Sequence, residues 1–75
     1  MIHVWCWDAV REKPSDGSEM WVRSERDAAI EYARMVAESN DGPPIRVVVA
    51  VRSADSINAP VHRYEVNVVV KYEIA

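Results

Sequence analysis

Apolar and polar positions along the chain change rhythm several times, and each change marks an element. Residues 2–11 are rich in Val, Ile and Trp and hold no Gly or Pro, which predicts a strand. Residues 12–18, Glu-Lys-Pro-Ser-Asp-Gly-Ser, predict a turn. Pro14 presets a turn dihedral there, and Gly17 after Asp16 suits a positive φ. Residues 19–23 return as a short second strand, closing a hairpin. From Ser24 the period lengthens. Ala29, Tyr32, Ala33, Val36 and Ala37 fall on one face of a helix that runs to about Ser39. Ser24 is placed to cap it through the amide of Asp27, and Glu25 and Asp27 put negative charge at the positive end of the helix dipole. Asn40-Asp41-Gly42-Pro43-Pro44 stops it, with Gly42 suited to a left-handed cap. Ile45–Arg52 predicts a third strand, dense in β-branched residues. Ser53–Pro60 is a polar loop, and Val61–Ile74 alternates almost strictly as a long fourth strand.

The order is ββαββ, an α+β fold. The expectation is one domain over residues 1–75, with a four-stranded, mainly antiparallel sheet and one helix packed on one face. If strands two and three lie parallel, the connection through the helix should be right-handed. Strand order across the sheet does not follow from the pattern.

Side chains alternate faces along a strand, so parity divides each strand in two. One face collects Ile2, Val4, Cys6, Val10, Met20, Val22, Ile45, Val47, Val49, Val51, Tyr64, Val66, Val68, Val70, Tyr72 and Ile74. The single helix should cover this aliphatic face, its alanines letting the backbones approach closely. Asp8 interrupts that parity, which suggests a bulge or an edge position where the carboxylate reaches water. The opposite face then holds Trp5, Trp7 and Trp21 with Arg11, Arg23, Arg46, Arg52, Arg63 and Lys71. Against them stand only Glu19, Glu65 and Glu73. Tryptophan and arginine are the side chains most enriched at binding hot spots, so this face is the candidate interface. Trp5, Trp7 and Trp21 are its expected anchors, and Arg46, Arg52 and Arg63 its directional contacts. The competing explanations are that the tryptophans pack under the first loop, that the tryptophan face is the core with the aliphatic face of strand one outward, or that a bulge shifts parity midway.

Composition narrows the function classes. The 75 residues are 49% hydrophobic, which excludes a disordered chain. Nine basic and twelve acidic residues give a net charge of −3. Parity splits that figure into +3 on the tryptophan face and −6 on helix and loops. One cysteine, Cys6, excludes an intramolecular disulfide framework and fits a reducing compartment. The start has no basic n-region, and the longest apolar run, Val47–Val51, is too short for a membrane span, so a cytoplasmic protein is expected.

Chemistry has few candidates. His3 and Cys6 point to opposite faces of one strand, which argues against a shared zinc site. Cys6 falls under the helix, and His62 sits at the rim of the fourth strand. There is no glycine-rich phosphate loop, nucleophile elbow or paired-carboxylate pocket. The expectation is therefore no enzyme, no metal and no cofactor. A non-catalytic protein-binding module or inhibitor, acting on a second copy or a heterologous partner, is the leading reading. Single-stranded nucleic acid on the tryptophan/arginine face is the alternative, since aromatics stack on bases while Arg and Lys track phosphates.

A further surface is acidic: Glu25, Asp27, Glu31 and Glu38 on the helix, with Asp41 and Asp55, are placed to dock on a basic partner. In size and charge the chain resembles small acidic phage-encoded inhibitors of bacterial defence proteins. The first half, with its Asp27-Ala28-Ala29…Ala33 helix, resembles small antitoxin-type ββα domains. That likeness implies the local ββα arrangement and transfers no function.

Overall fold

A computed structural model describes residues 1–38 and 45–68. Its elements are β1 (Ile2–Asp8), a 3-10 turn η1 (Pro14–Asp16), β2 (Ser18–Val22), α1 (Glu25–Glu38), β3 (Ile45–Ser53) and β4 (His62–Val68). The four strands form one sheet in the order β2-β1-β3-β4. All three neighbouring pairs are antiparallel. β2 and β3 are both antiparallel to β1, so they run in the same direction, and α1 connects them across β1. The expected ββαββ order and the single helix on one face are therefore both present. The helix stop at Asn40–Pro44, and the final strand beyond Val68 with Lys71 and Glu73, lie outside the described residues.

The helix covers the face that parity selects. Val4, Cys6, Val47, Val49 and Val51 form the core with Ala28, Ala29, Tyr32 and Ala33 of α1. Met20, Val22, Val36, Ile45, Tyr64, Val66 and Val68 pack around it. Ala28 and Ala33 are fully buried, so at those points the helix contributes only a methyl to the layer between it and the sheet. α1 starts as its sequence predicts: the amide of Asp27 donates to Ser24 Oγ at 3.2 Å, and the amide of Ala28 donates to the Ser24 carbonyl.

Three local expectations need correction. β1 ends at Asp8, not Arg11. Asp8 does not reach water; it is 5% exposed. Its Oδ1 accepts from the amides of Val10 and Arg11, so the carboxylate closes the turn that ends the strand. Its own amide donates to Glu12 Oε1, the same oxygen that accepts from the Tyr32 hydroxyl. The loop is thereby tied to the helix. Gly17 does not use a positive φ; its φ is −75°. Glycine is required there for space, because a Cβ would lie 2.2 Å from the Cys6 carbonyl oxygen and 2.9 Å from Trp5 Nε1.

Candidate protein-binding face

The face away from the helix is assembled by strand register. His3 lies opposite Trp21, Trp5 between Glu19 and Arg52, and Trp7 opposite Ala50, which in turn pairs with Arg63. Val48 pairs with Glu65 and Arg46 with Asn67. The sheet thus brings Trp5, Trp7, Trp21, Arg46, Arg52 and Arg63 to one face, as parity predicts. They are not equally available on it.

Trp7 is only 7% exposed and Ala50 is fully buried, although neither faces the helix. Trp5 is half-buried and its Nε1 donates to the Pro14 carbonyl at 2.6 Å, which holds η1 against β1. The first loop thus folds back over this side of the sheet. The expectation of three open tryptophans is corrected: Trp5 is taken up by the loop, Trp7 is buried, and Trp21 alone is open, at 64%. Parity assigns a side chain to a face, but it carries no information about a loop that returns to that face.

The arginines divide in the same way. Arg52 donates to the carbonyls of Ser53 and Ser56 at 3.1 and 3.3 Å, so it braces the β3–β4 loop. Arg46 is paired with Glu65 at 2.5 Å, both side chains more than half exposed. Such exposed pairs contribute little to stability, but this one reduces the free charge of the face. Among the described residues, Arg63 and Arg23 are exposed with no hydrogen-bond partner.

Sequence reasoning passed over His3 as a binding residue. Its ring stacks on Trp21 with centroids 4.3 Å apart and planes 5° apart. Nε2 is 2.9 Å from Glu19 Oε2 and Nδ1 is 3.3 Å from Asp55 Oδ1. Both ring nitrogens therefore face carboxylates, an arrangement that only the imidazolium, with two N–H donors, fully satisfies. Burial opposes the charge on His3, but the hydrogen bonds and the charges of Glu19 and Asp55 outweigh it and raise the pKa above the usual 6.5. The signal was the pairing of His3 with Trp21, which needs the strand register.

The other chemical candidates are structural. Cys6 is fully buried, and burial, with the Glu25 charge, pushes its thiol up to about 11. Burial and the bond to Glu12 likewise raise the Tyr32 phenol. His62 is exposed at the start of β4 and reaches Glu25, with Nδ1 2.7 Å from Oε1. Among the described residues, no group of three His, Cys, Asp or Glu side chains converges as a metal site. No described helix is long and apolar enough to cross a membrane.

The acidic surface is less coherent than the sequence suggests. Glu25 is engaged by His62, and Glu31 lies 3.3 Å from Arg34. Asp27 and Glu38 are exposed, but Arg26 and Arg34 share the solvent side of α1 with them. Asp55 is held by His3.

Comparison with known protein families, with curated proteins and with solved structures returns no match for this chain.

Proposed function

We propose that this chain is a small, non-catalytic protein-binding module that meets a protein partner through the β2 side of its open sheet face. The observation that carries this reading is Trp21. A tryptophan 64% exposed on an edge strand is costly to leave in water, and its indole is held in place by stacking on His3. A large, pre-oriented aromatic is the usual anchor of a binding hot spot. Arg63, with no hydrogen-bond partner among the described residues, supplies a cation on the same face. Binding of this kind fits an inhibitor that acts by occupying its partner's surface, and a lone buried thiol fits a cytoplasmic setting.

Single-stranded nucleic acid has less support on the same face. Stacking successive bases needs several open aromatic faces, and Trp5 and Trp7 are already packed. Docking through the acidic helix also has less support, because Glu25 and Glu31 have internal partners.

The test is photo-crosslinking in the cells that make the protein, with a photoreactive residue at position 21 or at exposed position 35 on the helix. Protein adducts at 21 and not at 35 are expected. No protein adduct at 21, or equal adducts at both, overturns the reading.

A further inference from the structure

The backbone directions in the sheet identify what the β2 edge is built to receive. The amide of Ala54 donates to the His3 carbonyl at 3.1 Å, and the amide of Ala9 donates to the Val48 carbonyl at 2.8 Å. Odd residues of β1 therefore turn their backbone groups toward β3. Even residues, Ile2, Val4 and Cys6, turn theirs toward β2, where they meet Val22, Met20 and Ser18. It follows that Glu19 and Trp21 turn their amides and carbonyls away from the sheet, along an edge that no strand covers among the described residues. Neither a proline nor an outward bulge blunts β2, which leaves it a template for another strand.

We propose that β2 pairs antiparallel with β2 of a second copy of this chain, about a twofold axis at Trp21. This pairing rests on the binding-face reading above and names its partner. A strand that pairs with itself must satisfy its own charge pattern, and this register does so. Trp21 meets Trp21, each exchanging both backbone bonds. Arg23 lies in the bend one residue past β2, where the same register brings it to Glu19 of the other copy, twice by symmetry. Met20 meets Val22 on the helix side. Glu19 Oε2 is used by His3, which leaves Oε1 for the incoming guanidinium. Arg23 has no partner of its own within the described residues. The result is one continuous eight-stranded sheet with the two indoles at its centre.

The opposite edge presents no exposed tryptophan or tyrosine side chain among the described residues. By the same alternation, Arg63, Glu65 and Asn67 of β4 turn their backbone groups outward. A twofold at Tyr64 would set Arg63 against Glu65 twice, a charge match equal to that of β2, so the exposed Trp21 is what favours the β2 edge.

Analytical ultracentrifugation of the purified chain tests the pairing. A mass of twice 8.5 kDa is expected at micromolar concentration. Arg23→Glu alone, or Glu19→Arg alone, places like charges at both ends of the interface and should raise the dimer dissociation constant about tenfold or more. Mixing the two variants restores both opposite-charge pairs, so the mixture should dimerise where each alone does not. Recovery on mixing also establishes that each variant is folded. Hydrogen exchange adds a backbone readout: the amides of Glu19 and Trp21 should become protected as concentration rises. A wild-type chain that stays at 8.5 kDa overturns the pairing, as does a dimer indifferent to Arg23→Glu. If the chain stays monomeric while position 21 still crosslinks a different protein, self-pairing fails and the binding-face reading stands. If position 21 crosslinks nothing, that reading fails too.

Discussion

His3 shows how much a single side chain can depend on its neighbours. Alone in the sequence it is an unremarkable residue near the start of a strand. In the sheet it joins Glu19 of β2 to Asp55 of the β3–β4 loop and forms a shelf for Trp21. Its pKa is raised on folding, so its contribution to stability follows a definite sign. The contribution is complete below the unfolded value near 6.5 and is lost as pH rises through the higher folded value. Stability measured by denaturant should therefore decline as pH climbs above about 6.5. His3→Gln should remove that part of the decline. An unchanged pH profile in the variant would mean that His3 is not held by the two carboxylates. Gly17 is a second case of local dependence. Its lack of a side chain reads as freedom of the backbone, but the structure uses it as room for the Cys6 carbonyl and the Trp5 indole.

At the level of elements, the helix is the part most directly written in the chain. Its cap at Ser24, its apolar stripe and its alanines all follow from spacing, and each recurs in the structure. The alanines set the distance between helix and sheet. Ala33 is fully buried among Val4, Val49 and their neighbours, so Ala33→Leu should overpack the layer and cost about 1–3 kcal/mol. Urea unfolding measures this; a variant as stable as wild type would show that the helix has slack above the sheet. The loop between β1 and β2 is the least legible element. Its turn residues predict a reversal, and Pro14 does start the 3-10 turn. Nothing in Glu12-Lys13-Pro14-Ser15-Asp16 says that the loop folds back to accept a hydrogen bond from Trp5. Nor does it say that Glu12 reaches round to Tyr32. Both contacts join residues distant in sequence, and a local pattern cannot encode them.

Across the whole molecule, the tryptophans report how open the sheet face is. One of the three is exposed, so iodide should quench a single fraction of the emission, and Trp21→Phe should abolish it. Quenching that persists in Trp21→Phe would mean that Trp5 or Trp7 is accessible. Fewer of the face's cations are free to meet a partner than composition suggests, since Arg46 is paired with Glu65 and Arg52 braces the β3–β4 loop. By itself the sequence determined the order of elements and which residues of each share a face, because periods of about 3.6 and 2 are properties of the backbone. It therefore determined that the aliphatic side would be buried under α1 and that Trp5, Trp7 and Trp21 would share the other side. Tertiary structure decided which of those three remains open. It also decided that β2 and β4 are the edges, and that His3 stands between two carboxylates. Strand order, register and the path of a returning loop depend on closing contacts between distant residues. The free energy of those contacts belongs to the packed molecule, and no segment carries it alone.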